Sequence, residues 1–290
     1  HDNFPGVLVH GKNTSEQQGE CFGFHLAWSG NHRSRVELLA EGRSYLQMGE
    51  LLLPGEMVLQ QGESYQSPVL YASWSDQGFS ALSRNFHAFV RHRLLSKAQR
   101  SKPRPVHYNT WEGIYFQHDV ETLKTLADEV AALGVERFVL DDGWFKGRRG
   151  DFAGLGDWTV DAAVYPQGLS PLINHVNSLG MEFGIWFEPE MVNPDSDLYR
   201  AHPDWVLQTS GNPQLRFRNQ LVLDLSRAEV TNYLFSAIDA ILSQYPLIRY
   251  IKWDINRDLN HPGNALGKPA VHQQTQALYA VSYTHLTLPT

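Results

Sequence analysis

Short apolar runs separated by turn residues occupy the first hundred positions of the chain. Their length and spacing predict β-strands, and short strands at this spacing are typical of a sandwich. The predicted strands cover 21–28, 35–39, 45–48 and 69–74. Apolar residues then recur at helical spacing over 79–95, which predicts that a helix closes this first region.

The pattern changes after the segment 102–105, which predicts a linker because its two prolines forbid helix and disfavour sheet. Beyond it, strand-like and helix-like segments alternate. The predicted strands are 106–111, 138–140, 181–187, 221–223 and 248–254, and the predicted helices are 119–133, 169–179, 228–242 and 271–281. Alternation of this kind predicts a parallel α/β sheet.

Acidic residues follow four of these predicted strands, at Glu112, at Asp141 and Asp142, at Glu188 and at Asp254. Functional groups at the C-terminal ends of successive parallel strands are typical of a (β/α)8 TIM barrel. A doubly wound sheet with a nucleotide site is the alternative, although no glycine-rich phosphate loop follows any predicted strand. The sequence therefore favours the barrel.

The length of the chain limits how much of a barrel it can contain. A complete barrel needs about 250 residues, and the chain has 290 in all. We therefore expect part of a β-sandwich with its connecting helix over 1–100 and about the first half of a barrel over 101–281. Residues 282–290 break the preceding helical pattern, so we expect them to be a foreign tail.

Composition narrows the possible partners. A net charge of −7 and a pI near 6.0 disfavour nucleic acid and anionic membrane surfaces. No apolar run approaches the roughly 18 residues that a membrane span needs. Cys21 is the one cysteine, so an intrachain disulfide is excluded and a reducing compartment, the bacterial cytoplasm, is expected.

The segment Lys252-Trp253-Asp254 carries the strongest chemical signal, at the end of an apolar predicted strand. Side chains two apart on a strand share a face, and a nearby cation keeps a carboxylate ionised. An ionised, fixed Asp254 could then act as a nucleophile on a sugar. The alternative is a surface ion pair on an edge strand, but so apolar a strand favours an interior position.

Two further acidic pairs have functional and structural interpretations. Asp141 and Asp142 could hold two sugar hydroxyls, because each carboxylate accepts several hydrogen bonds; the alternative is an ordinary turn. Glu188 and Glu190 could be an acid or a metal ligand, but we expect both to support a loop instead.

The aromatic and histidine residues give weaker evidence of function than the acidic residues do. Four tryptophans lie on or beside predicted strand ends, where their flat faces could contact sugar, although any one of them is more often core material: Trp111, Trp144, Trp186 and Trp253. Neither His-Glu-x-x-His nor Cys-x-x-Cys occurs, and His107 is expected to be a packed histidine. We therefore predict no metal and no cofactor.

Taken together, these segments resemble the family 36 glycoside hydrolases, the larger bacterial and fungal α-galactosidases. The resemblance covers roughly residues 15–280 and is carried by five blocks: 138–145 (FVLDDGWF), 156–158 (GDW), 186–192 (WFEPEMV), 218–226 (RNQLVLDLS) and 252–257 (KWDINR). It implies a β-supersandwich before a (β/α)8 barrel, and retaining hydrolysis of terminal α-D-galactosyl residues from melibiose- or raffinose-type galactosides.

The resemblance also implies roles for individual residues. Asp254 becomes the nucleophile of the reaction. The substrate-binding residues become Asp141, Asp142, Trp144, Trp186, Arg218, Lys252 and Asn256. The family implies α-galactoside oligosaccharides as ligands and a homo-oligomeric parent protein.

One catalytic part of the family pattern is not found in this sequence. The general acid/base of the family lies beyond a Cys-Ser-Gly-Gly-Gly-like segment, and no such segment occurs here. The opening strands of the sandwich are also absent, so we expect a truncated chain with little turnover of its own. The alternatives are a non-catalytic or misfolded fragment with at most weak galactose binding, or an α-N-acetylgalactosaminidase or galactosyl transferase of the same clan.

Overall fold

The computed structural model describes residues 4–259, 263–264 and 269–286. The chain divides into two compact units, His1–Arg104 and Pro105–Thr290. The division falls inside the predicted linker at 102–105, four residues after the boundary expected at residue 100. The assignment of the two units to a sandwich and a barrel remains a prediction at this point.

The first unit is built from antiparallel strands and one main helix. Its elements are β1 (Gly6–His10), β2 (Cys21–Leu26), β3 (His32–Leu38), β4 (Ser44–Glu50), β5 (Leu70–Ser75), α1 (Gly78–Phe89) and α2 (Lys97–Arg100). One sheet has the order β1-β2-β5, and β3 and β4 form a separate hairpin. The four predicted strands and the predicted helix are present, whereas β1 was not predicted.

Helix α1 packs closely on the sheet of the first unit. A side chain on Gly23 of β2 would place its Cβ 2.8 Å from the ring of Phe86, so the glycine permits the close approach of sheet and helix. After Phe89 the helix continues as one π-helical turn, Val90–Leu94. This π-turn accounts for the predicted helix extending to residue 95.

The second unit has a parallel sheet with helices between its strands. Its elements are β6 (His107–Asn109), α3 (Trp111–Ile114), α4 (Val120–Ala132), β7 (Arg137–Leu140), α5 (Ser170–Ser178), β8 (Glu182–Phe187), β9 (Met191–Val192), α6 (Asp197–Ala201), β10 (Leu221–Val222), α7 (Ala228–Gln244), β11 (Ile248–Trp253) and α8 (Val271–Leu286). A four-stranded parallel sheet has the order β6-β7-β8-β11. Successive strands are therefore neighbours, without the reversal of order that defines a doubly wound sheet.

Local sequence signals explain where the long helices begin and end. Asp119 caps α4, since its carboxylate accepts a hydrogen bond from the Thr122 amide at 2.8 Å. Gly134 follows the helix with φ of 87°, a conformation that favours glycine. The apolar faces of α4, α5 and α7 enclose one continuous core of buried side chains that runs from Leu123 to Ala270.

Three details differ from the sequence predictions. The segment 221–223 gives the two-residue strand β10, which pairs antiparallel with β9 and does not join the parallel sheet. Within the described residues, β11 is an edge strand, so the expected interior position is wrong. The sheet there has four parallel strands and no closed barrel, which the expected half barrel did not require. Helix α8 continues through Leu286, five residues past its predicted end, while 287–290 of the expected foreign tail lie outside the described residues.

Over 4–259, 263–264 and 269–286, no helix is long and apolar enough to cross a membrane.

Candidate active site

Parallel pairing brings the carboxyl ends of β7, β8 and β11 to one edge of the sheet. Lys252 of β11 pairs in register with Trp186 of β8. Leu140, the last residue of β7, pairs with Ile185 of the same strand. The acids that follow these strands therefore converge, as their positions in the sequence predicted.

Lys252 lies between two of the predicted acids. Its Nζ is 2.8 Å from Oδ2 of Asp141 and 4.0 Å from Oδ2 of Asp254. The expected common face of Lys252 and Asp254 is confirmed by the second distance. The closer partner of the lysine, however, is Asp141, which the strand pattern alone could not reveal because that residue is 111 positions away.

Asp254 is held by donors on one side and keeps a solvent-exposed surface on the other. The indole N–H of Trp186 donates to its Oδ2 at 3.0 Å, and the Ile255 amide donates to its Oδ1 at 3.1 Å. Burial disfavours the charge of Asp254, but Trp186, the Asn256 side chain and the charge of Lys252 outweigh it and lower the pKa of the carboxyl. Its side chain is 30% exposed, so the residue remains open to solvent.

Asp141 is almost fully buried and serves as an acceptor for three protein groups. Its Oδ2 accepts from Lys252 and from the Asn109 side chain at 2.6 Å, and its Oδ1 accepts from the Asp142 amide at 2.9 Å. A carboxylate offers about four lone-pair positions. Asp141 therefore retains capacity for about one further donor, and its contact with sugar remains a prediction.

Asp142 forms a buried bidentate ion pair with Arg148. Nε and Nη2 of the guanidinium donate to the two carboxylate oxygens at 2.9 and 2.8 Å. Burial raises the pKa of Asp142, and the guanidinium opposes that rise. Each oxygen of Asp142 already accepts one hydrogen bond from Arg148. Sugar binding by Asp142 would therefore use the second lone pair of an oxygen.

The turn after Asp142 depends on Gly143 and a buried histidine. A Cβ on Gly143 would lie 2.7 Å from Nε2 of His118, and φ of 116° also favours glycine there. His118 contacts the Asp142 carbonyl through Nε2 at 2.9 Å and the Tyr165 hydroxyl through Nδ1 at 2.7 Å. Burial lowers the pKa of His118 to about 4, so the ring is neutral at pH 7 and fixes the turn without adding charge.

Glu188 and Glu190 are supporting groups beneath this edge, as predicted. Glu188 accepts from the Asn256 amide at 2.8 Å and from the Gln220 side chain at 3.0 Å. Glu190 accepts from the indole N–H of Trp253 at 3.0 Å. Burial raises the pKa of each glutamate to about 7. The two carboxyls hold the segment on either side of Asp254.

Asn256 connects the buried Glu188 to the partly exposed carboxylate of Asp254. Its backbone amide binds Glu188, and its side chain bonds both Glu188 and Asp254. The residue is half-buried, and its sugar contact remains a prediction.

The tryptophans at the strand ends occupy different environments. Trp144 is fully buried in an aromatic cluster with Phe145, Trp158 and Phe187, and its indole N–H donates to the Trp186 carbonyl at 2.9 Å. In this structure Trp144 contacts Trp186 through its N–H group, and its contact with a sugar remains a prediction.

Trp186 itself is 2% exposed. It meets the site through its N–H group on Asp254, and its ring stacks parallel to Phe145. Its predicted place in the pocket wall is compatible with these contacts.

Arg218 lies on an exposed turn and is not brought into contact with the acids. Arg218 and Asn219 have φ of 51° and 59°, which is unusual for side-chain-bearing residues. Among the described residues Arg218 has no hydrogen-bond or ion-pair partner. Its cation is therefore not neutralised by any residue that the structure describes, and its role in sugar binding remains a prediction.

Sequence reasoning missed three residues that shape the site. Arg148 and Asn109 bind the predicted aspartates, and Asn193 binds Arg148 through its Oδ1 at 2.8 Å. Asn109 stands near the end of a predicted strand, a position that could have indicated it. Arg148 and Asn193 lie in irregular segments, where no periodic pattern distinguishes a buried polar residue from an exposed one.

Within the part of the chain that the structure describes, no group of three or more His, Cys, Asp or Glu side chains could hold a metal ion.

Comparisons with known proteins cover most of the chain. The family description "Melibiase" matches residues 64–287, and "Glycosyl hydrolase family 36 N-terminal domain" matches residues 1–60. An α-galactosidase of Escherichia coli is 49% identical over 96% of this chain, and α-galactosidase AgaA of Geobacillus stearothermophilus is 41% identical over the same share. These matches span only 39% and 38% of the two relatives.

The crystal structure of a family 36 α-galactosidase, AgaB of Geobacillus stearothermophilus, superimposes with a TM-score of 0.91 at 41% identity. The superposition covers 98% of this chain and 40% of AgaB. The strand-end acids, the five sequence blocks and these matches agree, and the chain belongs to the melibiase family within glycoside hydrolase family 36.

Proposed function

We propose that this chain carries the sugar-binding and nucleophilic part of a retaining α-galactosidase active site. The observation that carries the proposal is Asp254, a carboxylate with a lowered pKa and an exposed surface at the end of β11. The four acids that follow β7 and β8, namely Asp141, Asp142, Glu188 and Glu190, are nearly fully buried, unlike Asp254. Of these acids, Asp254 combines charge with access to a ligand.

In the proposed reaction Asp254 attacks the anomeric carbon of a terminal α-D-galactosyl residue. The bond to the leaving oxygen breaks as the bond to Asp254 forms, and a second carboxyl group protonates that oxygen. Water activated by the same second group then releases galactose from Asp254. Retaining glycosidases place the two carboxyls about 5–5.5 Å apart.

The second carboxyl is proposed to lie in sequence beyond this chain. The chain spans about 39% of the length of the E. coli relative. The acids beside Asp254, namely Glu188 and Glu190, are 1% and 3% exposed and are bound to protein donors. Neither presents an oxygen to a leaving group in this arrangement, which supports a separate acid.

The surrounding residues are proposed to bind the galactosyl unit. Lys252 forms an ion pair with Asp141 at 2.8 Å, and its ammonium lies 4.0 Å from Oδ2 of Asp254, so it is close to both carboxylates. Asp142, Asn256 and Arg218 are proposed to bind further hydroxyls. Trp186 is proposed to line the pocket while it orients Asp254 through its N–H group.

The wider architecture is part of the same proposal. We propose that unit His1–Arg104 is part of a β-supersandwich and that unit Pro105–Thr290 is the first half of a (β/α)8 barrel. The sequential order β6-β7-β8-β11 supports a singly wound barrel sheet. In a complete barrel β11 would gain a neighbour and become an interior strand.

Substrate and assembly are proposed by analogy with relatives. Variants of AgaA were solved in complex with raffinose and with stachyose, at 41% and 40% identity to this chain. We propose α-galactosides of this type as substrates, a homo-oligomeric whole enzyme and a cytoplasmic location.

Covalent trapping tests the nucleophile. A fluorinated α-galactosyl donor that slows hydrolysis of the glycosyl-enzyme is incubated with the whole enzyme, followed by peptide mass spectrometry. The label is expected on Asp254 and is expected to disappear in Asp254→Asn. A label on Glu190 would contradict the assignment.

The chain alone provides a second test. Release of nitrophenol from an aryl α-galactoside should be weak or undetectable, because general acid catalysis typically contributes about 10²–10⁴-fold. Titration calorimetry with galactose then separates binding from its absence. Strong turnover by the purified 290-residue chain would refute the proposal that the acid lies elsewhere.

A further inference from the structure

Asn193 is a buried asparagine whose side chain uses its whole hydrogen-bonding capacity. Its Oδ1 accepts from Nη1 of Arg148 at 2.8 Å and from the Leu155 amide at 3.0 Å. Its Nδ2 donates to the carbonyls of Asp151 at 3.1 Å and of Asn219 at 2.9 Å. An amide side chain has two donors and an acceptor oxygen with two lone pairs. No capacity is left over, and the residue is 0% exposed.

The two ends of this amide reach two different parts of the proposed site. Through Oδ1, Asn193 holds Arg148, the residue that grips both oxygens of Asp142. Through Nδ2, it holds the carbonyl of Asn219, which follows Arg218 in the turn. One side chain therefore connects the buried anion to the turn that carries the exposed cation.

The turn needs an external anchor because its backbone is strained. Arg218 and Asn219 are consecutive residues with positive φ, a conformation that costs free energy in residues other than glycine. Within the turn, the Gln220 amide donates to the Phe217 carbonyl at 3.0 Å. The Arg218 side chain adds no hydrogen bond to described residues. The hydrogen bond from Asn193 to the Asn219 carbonyl therefore attaches the turn directly to the interior of the unit.

We infer that Asn193 is a positioning residue that sets the Arg218 turn relative to Asp142. It touches neither the sugar nor Asp254 in this assignment, and it acts through Asn219 and Arg148. The functional meaning rests on the proposed function, in which Arg218 and Asp142 bind one galactosyl unit. The connection between the two segments rests on the hydrogen bonds alone.

Asn193→Asp distinguishes the hydrogen bonds that Oδ1 accepts from those that Nδ2 donates. The change keeps an oxygen toward Arg148 and Leu155 and replaces the donor toward Asn219 and Asp151 with an acceptor. Residue-level amide hydrogen exchange of the chain at pH 7 provides the readout. The Gln220 amide should exchange about tenfold faster, the change expected for one lost hydrogen bond of typical net strength, while the Leu155 amide should be unchanged.

Asn193→Ala removes both sets of hydrogen bonds, so the Leu155 and Gln220 amides should both exchange faster. Asn177→Asp is the matched control, because Asn177 donates to the Ile173 carbonyl at 2.7 Å within α5, in a different segment of the unit. It should leave the Gln220 amide unchanged. Amides in α7 serve as the reference for the fold as a whole.

Two results would overturn the inference. One is unchanged exchange of the Gln220 amide in Asn193→Asp; the other is equal loss of protection in α7, which would make Asn193 a general support of the unit. Binding of 1-deoxygalactonojirimycin, a ligand of an AgaA variant, is measured separately. Failure of the unaltered chain to bind it would count against the proposed function, whereas the exchange pattern judges Asn193 without any ligand.

Discussion

Two groups of acids at the same sheet edge have opposite environments. Asp142, Glu188 and Glu190 are sealed, with 6%, 1% and 3% exposure, and each is bound by dedicated donors. Asp254 has a side chain that is 30% exposed. Burial raises the pKa of the sealed acids, and donors with Lys252 lower that of Asp254. Sealed acids shape the site, and the open one can react.

The largest effect should come from opening the sealed ion pair. Arg148→Met leaves the buried carboxylate of Asp142 without its cation, and removing one partner of a buried pair costs about 3–5 kcal/mol. Urea unfolding of the chain should show this loss in the free energy of unfolding. Arg200→Met is the control, since Arg200 pairs with Asp195 and Asp197 at the exposed surface and should change little. Equal losses in the two variants would break the comparison.

A smaller loss is expected when a sealed glutamate loses its donor. Trp253→Phe removes the N–H group that binds Glu190, and an unsatisfied buried polar group costs about 1–3 kcal/mol. The matched control is Trp74→Phe, because the indole of Trp74 donates to Glu20 at an exposed position, at 2.9 Å. The free energies of unfolding of both variants should be measured in urea. The comparison fails if Trp74→Phe costs as much as Trp253→Phe.

The sealed glutamates should also make stability depend on pH. Burial raises the pKa of Glu188 and Glu190 from 4.5 to about 7, so the folded state holds protons that the unfolded state has released. Stability from this source is full below about pH 4.5 and is lost as the pH rises through about 7. Glu190→Gln should roughly halve this decline, since Glu188 remains. Unfolding free energies at a series of pH values test it, and an unaltered slope would contradict it.

The open acid should respond through its pKa, because its indole donor Trp186 is a buried core residue whose truncation also costs packing. Trp186→Phe removes the N–H group that donates to Asp254 at 3.0 Å. The pKa of Asp254 should then rise, because a bond to the charged form is lost. Carboxyl-carbon NMR in the variant and the unaltered chain measures the shift. An unchanged pKa of Asp254 would show that the indole of Trp186 does not stabilise the ionised carboxylate.

Much of the fold could be predicted because its pattern is local. The helical spacing over 119–133, with Asp119 before it and Gly134 after it, produced α4 (Val120–Ala132). The apolar runs that became β7, β8 and β11 were equally clear. The prediction for 221–223 was wrong because so short an apolar run fits both a strand of the parallel sheet and a two-residue strand outside it. The antiparallel pairing with β9, which the sequence does not reveal, distinguishes the two.

The site could be predicted only where chemistry follows a strand. Lys252, Asp254 and the Asp141-Asp142 pair stand at strand ends, so their convergence follows from parallel pairing. Their partners could not be predicted in the same way. Arg148 lies in an irregular segment, and Asn193 follows the two-residue strand β9, which was not predicted. Burial of Trp144 depends on an aromatic cluster assembled from several segments.

The difference between open and sealed acids is tested most directly by their titration in one sample. Carboxyl-carbon NMR of the chain, with assignments from Asp254→Asn, Glu188→Gln and Glu190→Gln, follows all three groups from pH 2 to pH 9. We predict that Asp254 titrates below the ordinary aspartate value of about 3.9, whereas Glu188 and Glu190 titrate near 7. The account would be contradicted if Asp254 titrated at or above the pKa of the two glutamates.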